Sequence, residues 1–255
     1  MKLSDALRVA IGVTRVYEGG GVTWDFDGAG VSLGLLQWNI KAKTLQPMLS
    51  AILESEDGHK LFPGTEYESL KTMLASSFDV QMEWVKGIND YENKAIKEPW
   101  LTAFKAMMAT ETWKALEAKH TKTYADIAVA DTKWSGVNSV RSYCVFFDTA
   151  VQCGGMGSAL KLALSAAKPF LLQASKDGKF KNTENDKAWL IACAGSRALI
   201  SYMSNPAFAM NVFKRKLGLA EGGYNWRRGE LPQVNAEINF ESSKYGVSDE
   251  ALEDL

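Results

Sequence analysis

Two carboxylates, Glu18 and Asp27, stand nine residues apart around a run of glycines in YEGGGVTWDFDGAGVSLGLLQWN, residues 17–39. Hydrolysis of a glycosidic bond needs such a pair. One carboxylic acid stays protonated to protonate the leaving oxygen, and one carboxylate stays ionised to activate water or attack the sugar. Glu18 follows Val16 and Tyr17 and precedes Trp24, an apolar setting that favours the protonated form by desolvation. Asp27 opens an Asp-Gly turn, where hydration and backbone donors favour the ionised form. Ser32, five positions on, offers a hydroxyl to hold the attacking water. Taken singly, a Glu at a helix end is an ordinary solvated side chain and Asp-Gly an ordinary turn.

Other chemistries have less to work with. The chain of 255 residues has two histidines, His59 and His120, and three cysteines, Cys144, Cys153 and Cys193, none with metal-ligand or triad spacing. No metal and no cofactor is expected. Cys144 and Cys153 lie too far apart on one predicted helix to bridge each other, so buried thiols are expected rather than disulfides. A net charge of -1 gives no basic field for nucleic acid. No apolar run is long enough to span a bilayer, and Asp5 and Arg8 break the N-terminal apolar segment that a classical export signal would need.

The elements that must position these residues follow from periodicity. A first helix over residues 4–17, with Ser4 as its cap, stops at Gly19-Gly20-Gly21. VTWDF and VSLG alternate as two short strands about the DGAG turn. A second helix is expected from about Leu35 to Leu53, with others near 66–87, 98–129, 136–153, 158–174, 186–203 and 206–217. Residues 1–230 are expected as one mainly helical domain and residues 231–255 as a loosely packed polar tail.

Together these pieces resemble the lysozyme-like superfamily, and within it the chitosanase-type branch. DGAGVSLGLLQWN is similar to the family's D-G-x-G-[YF]-[ST]-x-G hairpin after a helix-terminal Glu. FFDTAVQCGGM, residues 146–156, is similar to its aromatic-aromatic-Asp-x-x-V-x-x-G helix. The resemblance implies a mainly α, lysozyme-like (chitosanase-type) fold with a small β-hairpin near the N-terminus. It implies Glu18 as general acid, Asp27 as general base and Ser32 as water holder, with inversion and carboxylates roughly 6.5–9.5 Å apart. It also implies a structural Asp148 paired with arginines: Arg197 fits one partner. The second partner's nearest position is Asn211, so Arg215, one helical turn on, is taken as its substitute.

The spacing between Glu18 and Asp27 is shorter than in typical chitosanases, which leaves room for another second group. LGLLQWN further resembles the G-L-[ML]-Q element of lytic transglycosylases and goose-type lysozymes, whose Gln faces the sugar. The resemblance therefore implies a muramidase cleaving the MurNAc-GlcNAc β-1,4 bonds of peptidoglycan glycan strands. Asp25, Gln37 and Asn39 are its candidate sugar contacts, and Trp24 or Trp38 its stacking face, one of them belonging to the core. Chitosanase, lytic transglycosylase and a catalytically silent glycan- or partner-binding module remain open alternatives. Synthesis in the cytoplasm is expected, with phage- or secretion-system-mediated delivery to the cell wall. An injected toxin would imply an immunity protein.

Overall fold

The structure is a computed structural model that describes residues 1–18, 20–26, 28–166, 182–202, 206–226 and 238–255. Chain contacts resolve two compact units, Glu18–Lys122 and the rest, the latter combining Met1–Tyr17 with Thr123–Leu255. Helices dominate both. None of the helices among the described residues is long and apolar enough to cross a membrane.

In the Glu18–Lys122 unit, three two-residue strands form an antiparallel sheet, β1 (Val22–Thr23), β2 (Ser32–Leu33) and β3 (Trp38–Asn39). The expected hairpin thus gains a third strand, and the helix expected from Leu35 begins only at Gln46. The backbone explains the delay. Gly34, Gln37 and Lys43 all adopt left-handed φ, at 82°, 55° and 57°, which no α-helix accommodates. Pro47 then favours a helix start, and α2 runs Gln46–Glu54.

Helices α3 (Gly58–Leu61), α4 (Thr65–Leu74), α5 (Phe78–Ile88) and α6 (Trp100–Ala109) follow, with the hairpin β4 (Asn89–Asp90) and β5 (Ala95–Ile96) between the last two. The single helix expected over 98–129 is broken at Thr110, which is extended at φ -72° and ψ 152°. Its hydroxyl donates to the Met107 carbonyl and accepts from the Trp113 amide, closing α6 and capping α7 (Glu111–Ser135). The core is aromatic: Phe62, Trp100 and Phe104 pack together, and Trp38 meets Trp113 edge-on at 6.4 Å.

The other unit is built about α8 (Val140–Cys153), whose residues from Val140 through Ala150 are all buried. Its buried polar residues Arg141, Ser142, Asp148 and Thr149 therefore need partners inside the fold. The Ser139 hydroxyl accepts from the Ser142 amide at its start, and left-handed Gly154 ends it. Helix α9 (158–166), α10 (Asn182–Tyr202) and α11 (Pro206–Glu221) complete the helices, and strands β6 (Gly223–Trp226) and β7 (Ile238–Glu241) pair antiparallel. The part of the expected 158–174 helix beyond 166 lies outside the described residues.

The expected loose tail is instead tied in where it is described. Val140 and Arg141 donate their amides to Glu250 and Ser248 carbonyls, and Val247 and Leu252 are buried. Helix α1 (Leu3–Glu18) starts one residue before Ser4. Asp254, from the far end of the chain, accepts its Leu3 amide.

Asp148 lies fully buried in α8, and this unit surrounds it with two cations. Arg215 reaches both carboxylate oxygens, and Lys216, also fully buried, donates to Oδ2 at 2.6 Å and bonds Gln152. The Arg215 guanidinium also covers the Tyr17 ring, 4.9 Å from its centre. Arg197 does not join this cluster. Its Nη2 donates to the Cys153 carbonyl at 2.8 Å, and Lys216, absent from the sequence reading, takes the second place beside Asp148. Burial alone would raise the Asp148 pKa. The Arg215 and Lys216 charges overcome this and bring it from 3.8 down to about 2.

A carboxyl whose folded pKa is depressed stabilises the fold fully above its unfolded value. That contribution, about 2 kcal/mol, is lost as pH falls from about 4 through about 2. Asp148→Asn removes the carboxylate that Arg215 and Lys216 both bond, so urea unfolding at pH 7 should show a loss of roughly 3–5 kcal/mol. The deficit relative to wild type should shrink as pH falls below about 4. A loss under about 1 kcal/mol, or one independent of pH, would contradict the arrangement.

Candidate functional site

Glu18 is the last residue of α1, half-buried, and directly follows Tyr17. Val16 is 46% exposed and so does not wall it in, contrary to the apolar setting expected from sequence. Beyond Glu18, Gly20 and Gly21 turn the chain in left-handed conformations, φ 65° and 86°, and deliver it into β1.

The register sorts the sheet into two faces. Thr23, Ser32 and Asn39 lie directly opposite one another across the three strands, as do Val22, Leu33 and Trp38. Cross-strand partners project to one side. Leu33 and Trp38 are buried at 0% and 2% exposure, so their row faces the core and the Thr23–Ser32–Asn39 row turns the other way. Ser32 is thereby placed in the middle of a polar row, opposite Thr23 and Asn39, and is 8% exposed. Its hydroxyl makes no hydrogen bond with the described residues. Asp27 lies outside the described residues.

The expected sugar contacts turn out to hold the site together. Gln37 donates from Nε2 to the Gly21 and Gly34 carbonyls and accepts from the Thr23 hydroxyl at 2.6 Å. A further bond runs from the Gly34 amide to the Gly21 carbonyl at 2.9 Å. The amide is therefore a clasp between the glycine bend and the sheet rather than an open sugar contact. Asn39 accepts from the Ala42 amide and donates to the Gln37 carbonyl, closing the turn into α2. Trp38 belongs to the core, where no sugar could stack. Asp25 is 8% exposed, and its two oxygens accept from the Gly30 amide and the Tyr91 hydroxyl. Asp25 and Trp38 are buried and Gln37 and Asn39 half-buried, and each polar side chain among them makes the bonds within the fold given above.

Sequence reasoning missed Tyr91 and Phe26. Tyr91, 46% exposed, sits in the turn between β4 and β5, meets Trp24 edge-on at 6.0 Å and bonds Asp25. Phe26, 65% exposed, flanks Trp24 at 6.3 Å. Alternating strand periodicity had assigned Phe26 to a half-buried strand, and no local signal joins Tyr91 to a residue 66 positions earlier. Among the described residues, no group of His, Cys, Asp and Glu could hold a metal ion.

Gly34 shows how tightly the clasp is packed. A Cβ there would strike the Glu117 carboxylate and lie 2.9 Å from the Trp38 ring, on a backbone at φ 82°. Gly34→Ala should cost about 2–4 kcal/mol in chemical denaturation. Gln37→Gly suits the left-handed backbone yet removes the clasp, so its expected loss of about 1–3 kcal/mol reads the hydrogen bonds alone. Unchanged stability in Gln37→Gly would contradict the bracing role.

No protein-family model matches the chain, and no curated protein matches it. Solved structures do. The native chitosanase from Bacillus subtilis MY002 is similar at a TM-score of 0.51 and 20% identity, over 94% of this chain and 99% of that one. A point mutant of the chitosanase from the same organism, complexed with 6 GlcN, gives 0.52 and 17% over 94% and 100%. The chain has the mainly α, lysozyme-like fold of these chitosanases, with its small antiparallel sheet near the N-terminus.

Proposed function

We propose that the chain is a glycoside hydrolase acting on β-1,4-linked amino sugars, with Glu18 as general acid. The observation that carries this reading is the clasp. A helix-terminal Glu is followed by a glycine bend that Gln37 holds to a sheet whose middle strand carries Ser32, 8% exposed, on a fold similar to that of chitosanases.

In this mechanism the Glu18 carboxyl gives its proton to the glycosidic oxygen as the bond to the anomeric carbon breaks. Ser32 holds a water for attack on that carbon from the opposite face. Asp27 takes the proton the water releases, so the product carries an inverted anomeric hydroxyl. Glu18 recovers its proton from solvent.

For the substrate we favour the MurNAc-GlcNAc backbone of peptidoglycan. Chitosan is polycationic and calls for spare carboxylates, whereas the extra one here, Asp25, is spent on Gly30 and Tyr91. Chitosan is the second reading, favoured by the similar structures, one of which holds 6 GlcN. A wall substrate fits delivery by a phage or a secretion system, and in the latter case an immunity protein as partner.

Purified sacculi and chitosan, digested in parallel and read by mass spectrometry, test the proposal. New reducing ends should form from sacculi, and Glu18→Gln should lower the rate by at least about 100-fold with circular dichroism unchanged. Ser32→Ala should lower it about tenfold. Anhydro-sugar ends would make the enzyme a lytic transglycosylase, and release from chitosan alone would favour the second reading. Full activity in Glu18→Gln would overturn the catalytic assignment.

A further inference from the structure

We infer that Trp24, Phe26 and Tyr91 form an aromatic subsite that takes the C–H face of an uncharged, N-acetylated aminosugar ring. The inference rests on the proposed glycan-cleaving function for its ligand class, but not on the identity of the catalytic acid.

The exposure is unlike that of a core cluster. Trp24 meets Tyr91 at 82° and Phe26 at 60°, with centres 6.0 and 6.3 Å apart. Phe26 and Tyr91 stand 65% and 46% exposed, so much of both rings is open to a ligand. Pyranose rings present an apolar C–H face whose burial against such faces is favourable, while their rim of hydroxyls stays hydrated.

What separates this patch from a chance exposure is the buried polar framework that fixes it. The Asp25 amide donates to Asn89 Oδ1 at 2.9 Å, and Asn89, 2% exposed, donates in turn to the Val85 carbonyl at 2.7 Å. Asp25 binds the Gly30 amide at 2.9 Å and the Tyr91 hydroxyl at 3.0 Å. The Phe26 amide closes on the Trp24 carbonyl at 2.9 Å, which sets the two rings side by side. The rings are thus ordered before any ligand arrives, which removes part of the entropic cost of binding.

Asp25, the carboxylate between Trp24 and Phe26 in the chain, is buried with its two oxygens accepting from Gly30 and Tyr91, which favours a ligand that needs no contact with it, an acetamido sugar. Trp24 and Phe26 directly follow β1 of the proposed catalytic sheet, and Tyr91 belongs to the same unit.

The test uses the full chain carrying Glu18→Gln, titrated calorimetrically with the hexamer of N-acetylglucosamine and, separately, of glucosamine. Phe26→Ala and Tyr91→Ala, each added to that chain, should weaken binding of the acetylated hexamer by about tenfold. Phe26 is exposed, so its variant should melt with the parent. Tyr91→Phe keeps the ring and loses the Asp25 bond, and should weaken binding by about threefold. Affinity within twofold of the parent in Phe26→Ala and Tyr91→Phe, no binding of the acetylated hexamer to the parent, or tighter binding of the glucosamine hexamer would each overturn the inference. Loss of binding in Phe26→Ala beside undiminished hydrolysis by Glu18→Gln would sink the acid assignment and leave the subsite standing.

Discussion

The site depends on one amide. Gln37 holds the Gly21 and Gly34 carbonyls and the Thr23 hydroxyl together, so the bend after α1 and the first two strands move as one body. Glu18 precedes that bend in the chain, and Ser32 lies on the strand paired with the one that follows it. A catalytic pair misplaced by about 1 Å can lose on the order of 100-fold in rate. The conformational requirement is steep: Gln37 itself takes a left-handed φ of 55°, a conformation its side-chain hydrogen bonds must sustain.

The second constraint is electrostatic and lies in the other unit. A carboxylate at the centre of a fully buried helix is tolerable only with its charge compensated, and Arg215 and Lys216 from α11 do this for Asp148 in α8. Lys216 also shares its ammonium with Gln152. Arg215 spreads its charge over the face of Tyr17, the residue before Glu18. The buried ions thus specify how α8, α11 and the end of α1 come together.

Much of this was legible in the sequence, for definite reasons. Helical periodicity marked the helices, and the glycine-rich stretch after Glu18 marked the sheet. The resemblance carried by FFDTAVQCGGM implied a structural Asp148 paired with arginines, with Arg215 taken as substitute for the partner position at Asn211. What escaped was non-local or conformational. A Gln that faces sugar and a Gln that clasps two carbonyls read identically, and only the left-handed φ at Gly34 and Gln37 separates a turn from the expected helix start. Lys216 and Arg197 are both cations on late helices, and three-dimensional packing alone decides which reaches Asp148. Tyr91 joins Asp25 across 66 residues, beyond any local pattern.

The central claim is that Glu18 donates the proton at a glycosidic bond held beside the polar row of the sheet. A crystal structure of Glu18→Gln with the N-acetylglucosamine hexamer tests it most directly. The account predicts a glycosidic oxygen within about 2.6–3.2 Å of the side chain at position 18. It also predicts a sugar ring against Trp24, Phe26 and Tyr91. A hexamer bound with no glycosidic oxygen near position 18 would contradict it.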